Sequence, residues 1–556
     1  MNLIPINKIA AIATILLFSA STVSSQSVTP WLTSGNKSNL LQEQSTVNFR
    51  SDTESANVTI TLDQATTYQT MDGFGFCLTE GSAEVISLLD IAQQTALLTE
   101  LFDKQTGLGI SVLRISIGAS DLSSSSYSYN ENCGDVNMTK FSLSGPDANY
   151  LFPVLKKILA INPDIKILAT PWSAPRWMKT IDSWIGGSLK PEYYSAYANY
   201  FVKYLDAVRA LGISVWAITP QNEPENPKNE PSMLMNSIEQ LNFINNNLGP
   251  AMATAGYSNV KIIAFDHNCD NTDYPTYVCN NSSYVDGSAF HLYTGDISAM
   301  TTVKNATNKN VYFTEQYTAS TGSFAGDLGW HIQNVIVGGA NNWAKTIIEW
   351  NLANDSGFDP HTDGGCTTCK GAITVDNSTS YSRNVSYYII GQISKFVKHG
   401  AVRLGTSNSV SGNISTAFKN PDGTLVVLAF NSKNSAQTFK VIVGGKAFVY
   451  SIPPATVATF NWNPQMTNIS GSRKKNELVM SPNPTTDFIT QDLSGCRAKY
   501  NSIDIIAMNG SKVLNELVSP GSLLAEVDVS GLRNGVYLVR FKGIDQLSYG
   551  RFIKQE

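Results

Sequence analysis

Cysteine is scarce in this chain, with seven residues in 556. That is too few for disulfides to act as the main scaffold, and the odd number leaves at least one thiol unpaired within a monomer. Cys366 and Cys369 make one CxxC without a second pair, which argues against a structural zinc site and for a short disulfide or two loop cysteines. Excess charge of one sign is missing too. A net charge of −5 offers no basic footprint, so nucleic acid is not an expected partner. Long apolar runs are confined to residues 9–20, and that run is shorter than the ~20 residues a membrane-spanning helix needs. Preceded by Lys8 and followed by small residues up to Ser25, it reads as a signal peptide over 1–25, with no transmembrane segment afterwards. No cysteine closes the run, so a lipoprotein anchor is disfavoured. Walker, GxGxxG, HExxH and GxSxG patterns are also lacking, which removes the commonest nucleotide, zinc-protease and serine-hydrolase readings.

What is present is length and order. A chain of 556 residues exceeds one core and calls for several domains. Between residues 71 and 399, β-rich apolar runs at 73–76, 112–117, 166–170, 215–219, 260–265, 288–292, 311–314 and 346–350 alternate with amphipathic stretches at 91–102, 150–160, 193–211, 238–255 and 328–337. Eight strands with helices between them predict an α/β fold, the (β/α)₈ barrel. Short alternating strands at 414–418, 424–430, 438–443 and 456–462 predict a β-sandwich over 400–463. Alternation at 45–50 and 57–62 predicts that N-terminal strands within 26–70 join it. Residues 464–475 have linker composition, and 476–556 read as a small all-β domain.

In such a barrel the side chains just past the C-terminal strand ends face the active site. Glu223, in Gln221-Asn-Glu-Pro224, follows the fourth run, and Glu315, in Phe313-Thr-Glu315, ends the seventh. Taken singly, the first is a plausible helix-start turn and the second a partner for a lysine. Together, at strand ends facing each other across the mouth, they suit glycosidic bond hydrolysis, which needs one protonated carboxyl and one ionised carboxylate on opposite faces of a sugar. Trp172, Tyr293 and Trp350 follow other strands and offer flat faces for sugar C–H groups, with barrel core as the alternative. His291 either hydrogen-bonds the carboxylates or is a satisfied strand-end histidine. Arg114 and Asp121 either orient a carboxylate and bind a sugar hydroxyl, or make surface salt bridges.

With Asp72-Gly-Phe-Gly-Phe76, Leu113-Arg-Ile-Ser-Ile-Gly-Ala-Ser-Asp121, Pro171-Trp-Ser-Ala-Pro-Arg-Trp-Met-Lys179, Gln221-Asn-Glu-Pro224, Phe313-Thr-Glu315 and Glu349-Trp-Asn-Leu-Ala353, the chain resembles glycoside hydrolase family 30. That group includes glucosylceramidases and microbial endo-β-1,6-glucanases. The resemblance implies Glu223 as acid/base, Glu315 as nucleophile and Asn222 at the sugar 2-hydroxyl. It places Arg114, Asp121, Trp172, Tyr293 and Trp350 around the glucose, and it requires no metal or organic cofactor. It also implies a sandwich held rigidly against the barrel. Loops at 222–229, 266–275 and 361–370 look more like the glucanase branch. The expected substrate is therefore a β-1,6-glucan, with glucosylceramide or another β-glucoside second. A non-catalytic carbohydrate-binding or adhesion protein is the rival of another class, and possession of both glutamates argues against it. Ser481-Pro-Asn-Pro-Thr-Thr-Asp487 and Leu532-Arg-Asn-Gly-Val-Tyr-Leu-Val-Arg-Phe541 resemble the sorting domain of type IX secretion substrates, which implies that machinery as a partner and a secreted or cell-surface protein of a Bacteroidota-like bacterium.

Overall fold

The computed structural model describes residues 26–412, 414–464, 480–493, 500–507, 511–519, 522–543 and 547–555. The expected signal peptide and, apart from Pro464, the expected linker lie outside them. No helix among the described residues is long and apolar enough to cross a membrane.

Eight parallel strands close into a barrel: β1 (Gly73–Cys77), β2 (Val112–Ser116), β3 (Lys166–Thr170), β4 (Ala217–Ile218), β5 (Lys261–Cys269), β6 (Val285–Gly295), β7 (Asn310–Glu315) and β8 (Ala344–Asn351). Each predicted run contains one of them or overlaps it. β4 is the shortest because Pro220 cannot donate to a ladder; the amides of Trp216 and Thr219 still bond to Ile167 and Ala169 of β3. Strands approach closely where glycine stands. A Cβ added to Gly75 would lie 1.8 Å from the Val112 carbonyl oxygen, and one on Gly287 2.1 Å from that of Asn310.

The helical stretches fall where the periodicity places them, but three contain a wide π turn, at Asp147–Leu151, Ile244–Leu248 and Ile332–Val337. Two of these run straight into Pro153 and Pro250, whose missing amide hydrogens cannot continue the regular bonding.

The sandwich draws on both ends of the unit. Ser27–Ser34 pairs with Thr456–Trp462, and Val58–Thr70 lies between Val402–Asn408 and Gln437–Val443. Strand Leu425–Asn431 is buried on both faces. Leu425, Val427 and Ala429 belong to the sandwich core, while Val426, Leu428 and Phe430 pack into the barrel's helical layer. A near-continuous apolar run is the sequence of a strand without a wet face. At the same junction buried Gln392 donates to Thr33 Oγ1 (2.8 Å) and accepts from Thr459 Oγ1 (2.6 Å).

The C-terminal unit has its own core, which includes Tyr500, Ile505, Val539, Phe541 and Phe552. Its four-stranded sheet orders Lys512–Leu517, Tyr500–Ala507, Gly535–Gly543 and Leu547–Lys554. Buried Asp504 is neutralised by Arg540 (2.6 Å) and Lys542 (2.7 Å).

Gly75→Ala is expected to force β1 and β2 apart and cost about 3 kcal/mol or more, the upper end for an overpacked core. Differential scanning calorimetry reads the loss; an unchanged melting temperature would mean that the strands part without strain.

Candidate active site

Period-two alternation stacks two layers inside the barrel. The lower layer is apolar: Val112, Leu168, Ala217, Ile263, Ala289, Tyr312 and Ile348, one from each of β2 to β8. Two residues further along come Arg114, Thr170, Thr219, His291, Thr314 and Trp350, so the strands turn polar one layer below the mouth. β5 breaks the rule. Phe265 and Asp266 both have positive φ (73° and 66°), and a bulge between Phe265 and His267 turns Asp266 to the axis in place of Phe265.

Asp266 is fully buried and saturated. It accepts from Arg114 (2.9 Å), Thr219 (2.8 Å), Thr314 (2.7 Å) and His291 Nε2 (3.2 Å). Burial opposes its charge, but Arg114 and His291 hold its carboxyl well below the usual range.

Arg114, also fully buried, donates to Glu315 Oε2 at 2.5 Å and to Asn222 Oδ1 at 2.6 Å. Its guanidinium lies 4.7 Å from the ring of Trp172 and 5.8 Å from that of Trp350. Burial would lower its pKa, yet the charges of Asp266 and Glu315 raise it. The surface-salt-bridge alternative is therefore excluded.

Glu315 ends β7 and also accepts from Tyr293 Oη at 2.9 Å. Burial raises its pKa against the pull of His291 and Arg114.

Glu223 stands on strained backbone, with φ +43°, a conformation that costs a non-glycine residue about 1 kcal/mol or more. Its amide donates to the Asp266 carbonyl (3.0 Å), and Asn226 (2.7 Å) and Asn229 (3.3 Å) donate to Oε2. His291 Nδ1 lies 3.1 Å from Oε1. Burial works to raise the carboxyl, but the bond and charge of His291 outweigh it and lower it. His291 answers in kind: burial disfavours its charge, yet Glu315, Asp266 and Glu223 push it up to about 10. It belongs to the carboxylate network and is not a merely satisfied strand-end histidine.

The ligating atoms of Glu223, His291 and Glu315 all lie within 4.8 Å of one another. Such a trio has the geometry to hold a cation, but here Arg114 and the bridging histidine already supply positive charge to it.

Asp121 sits at the same mouth, 7% exposed. Burial and the charges of Glu315 and Glu223 push it up to about 7. Trp172 and Trp350 pack on each other at 5.4 Å and are nearly buried, while Tyr293 is half-buried with Tyr317 beside it at 5.6 Å. All nine residues singled out in the sequence thus converge. Cys366 and Cys369 form the short disulfide, in the same apolar cluster as the two tryptophans. Cys77, Cys133, Cys269 and Cys279 are free.

The sequence reading missed Asp266, His267 and the asparagines Asn226 and Asn229. His267 Nδ1 is 3.9 Å from Glu223 Oε1, and burial lowers its pKa. The strand-end rule applied one residue beyond 265 would have found Asp266.

The model of the glycosyl hydrolase family 30 TIM-barrel domain matches residues 71–397. The chain belongs to glycosyl hydrolase family 30. The family's β-sandwich domain matches 400–460, and a secretion system C-terminal sorting domain matches 480–555. This family 30 member is therefore a glycoside hydrolase carrying a sorting tail, and so a secreted or cell-surface protein. An endo-1,6-beta-D-glucanase of Aspergillus fumigatus is 34% identical over 423 residues, covering 70% of this chain and 85% of the relative. The solved structure of an endo-beta1,6-glucanase is 37% identical with a TM-score of 0.73, over 78% of this chain and 99% of that one. The lysosomal acid glucosylceramidase of Mus musculus is 25% identical over 435 residues, 73% of this chain and 84% of the relative.

In this family 30 enzyme the stabilisation that protonated His291 supplies is complete below about pH 6.5, the value for an unfolded histidine. It is lost as the pH rises through the folded value of about 10. Asp266→Asn removes one of the anions that hold the proton and leaves Arg114 undercompensated, a loss of about 3–5 kcal/mol for a broken buried pair. Thermal unfolding from neutral to alkaline pH should show a lower melting temperature in the variant and an alkaline decline that is smaller and ends at lower pH. Parallel curves for the two proteins would contradict the assigned charge network.

Proposed function

We propose that this enzyme cleaves β-1,6-linked glucan within the chain, with retention of configuration, Glu223 acting as general acid/base and Glu315 as nucleophile. The observation that carries the reading is the approach of the two carboxyl groups from opposite walls. One oxygen of each lies within 4.8 Å of one oxygen of the other, which suits the separation of about 5 Å that direct attack on the anomeric carbon requires better than the roughly 6.5–9.5 Å that admits an inverting water.

The hydrogen bonds to each group support its role, against the net direction in which burial and charge move the two carboxyls, Glu315 up and Glu223 down. Arg114 and Tyr293 donate to Glu315 and so favour its ionised form. His291 Nδ1 lies 3.1 Å from Glu223 Oε1, near enough for a proton to pass between them. The proton delivered to the departing oxygen comes from this pair. Bond cleavage then leaves the sugar on Glu315, and Glu223, now a base, takes a proton from the water that releases it. Asn222 accepts from the same guanidinium that donates to Glu315, which supports its role at the sugar 2-hydroxyl.

Linkage specificity rests on the 34–37% identity to endo-1,6-beta-glucanases and on the loops at 222–229, 266–275 and 361–370. The glucosylceramidase relative supports a second reading, a lipid β-glucosidase in sphingolipid turnover, at lower identity. In the same proposal residues 1–25 are a cleaved signal peptide, 464–475 a linker, and the sorting tail a type IX signal of a Bacteroidota-like bacterium.

Purified protein incubated with β-1,6-glucan should yield oligosaccharides by chromatography, whereas ceramide release from glucosylceramide alone would favour the lipid enzyme. Glu223→Gln should lower glucan turnover by about 10²–10⁴-fold, the worth of a general acid. The first step on aryl glucosides with good leaving groups should be spared, since they depart without a proton. Equal loss on both substrates would reverse the role assignment.

A further inference from the structure

Asp121 is held through its backbone, and what holds it comes from the loop after β8. The Asp121 carbonyl oxygen accepts the amide of Thr362 at 3.0 Å. Gly365 passes so close that a Cβ there would lie 2.1 Å from the same oxygen. Thr362 in turn donates its hydroxyl to the carbonyl of Glu230, in the loop after β4, at 2.6 Å.

The Glu230 side chain completes the tie. One carboxylate oxygen accepts Ser126 Oγ from the loop after β2 at 3.1 Å, and the other accepts the amide of Gly364 at 3.1 Å. Gly364 also meets it with little clearance, since a Cβ on that residue would stand 2.9 Å from Cβ of Glu230. One half-buried carboxylate thus joins three loops that belong to three different strands, directly behind a residue whose own carboxyl faces the catalytic pair.

We propose that Glu230 is a positioning residue that locks the loops after β2, β4 and β8 and thereby sets how strictly Asp121 discriminates the sugar hydroxyl it holds. The inference rests on the reading of Asp121 as a sugar ligand. The physical reason for such a tie is that loops joined only to their own strand ends are the softest part of a barrel, whereas a misplacement of about 1 Å near reacting groups can cost about 10²-fold in rate. A carboxylate that accepts from two loops while its own carbonyl accepts from Thr362 removes that freedom without entering the pocket.

The test compares wild type, Glu230→Ala, Glu230→Gln and Thr362→Val on an aryl β-glucoside and its 4-epimer, the aryl β-galactoside, with melting temperatures measured in parallel. Glu230→Ala should lower kcat/KM for the glucoside by about tenfold or more, mostly through KM, within the penalty for small misplacement. It should also narrow the preference for the glucoside over its epimer. Glu230→Gln keeps an acceptor oxygen and should recover most of both. Thr362→Val, matched in shape, should follow Glu230→Ala and serves if that variant does not fold. An unchanged epimer ratio in Glu230→Ala and Thr362→Val overturns the proposal, because a merely structural brace would lower activity on both sugars alike. If wild type hydrolyses neither sugar, as an endo-acting enzyme that needs a longer chain would, crystal structures of the same variants decide the brace: displacement of Asp121 supports it, and an unmoved Asp121 overturns it.

Discussion

Four carboxyl groups, those of Asp121, Glu223, Asp266 and Glu315, share a mouth from which water is largely excluded, and the fold must balance them. An isolated buried carboxylate would neutralise itself by taking up a proton. Arg114 provides the permanent counter-charge, contacting Asp266, Glu315 and Asn222 at once while Trp172 and Trp350 cover its guanidinium. His291 adds a second, titratable cation between Glu223 and Asp266. Asp266 is the structural anion of the set, saturated by donors and without an oxygen to spare for a substrate. Arg114 and His291 thus set two cations against the four carboxyls, and the carboxyl of Asp121, which neither cation touches, is pushed up to about 7 by burial and by the charges of Glu315 and Glu223.

The barrel delivers this arrangement through alternation. An apolar layer seals the interior, and the next inward position on each strand is polar, so the site needs no dedicated insertion to bring most of its groups together. What alternation cannot supply, distortions do. The bulge in β5 turns Asp266 inward, and positive φ at Glu223 directs a residue that immediately follows Asn222 to a different part of the cluster. Strain concentrated at the reacting groups is a usual feature of active sites, held in place by the surrounding bonds; here the Asn226 and Asn229 donors and the Asp266 carbonyl do the holding.

The same logic says what could be read from the sequence. The eight strand runs stand out because parallel strands buried on both faces are written as unbroken apolar segments. Glu223 and Glu315 stand out because a carboxylate at the end of such a segment has nowhere dry to hide. Asp266 stands just past the run that ends at Phe265, within reach of the strand-end rule; what no local pattern encodes is the bulge, a register shift against β6, that turns it inward. Asn226 and Asn229 read as loop polarity, and the tie at Glu230 is made by residues more than a hundred positions apart in the chain. The π turns escaped for a smaller reason: an apolar stripe of period 3.6 survives one wide turn almost unchanged.

The measurement that bears most directly on this account is the trapping of the covalent intermediate. A 2-deoxy-2-fluoro β-glucoside with a good leaving group, incubated with the intact enzyme and followed by proteolysis and tandem mass spectrometry, should place the sugar on Glu315. A label on Glu223 or Asp121, or turnover of the natural substrate to products of inverted configuration with no adduct formed, would contradict the roles proposed for the two glutamates.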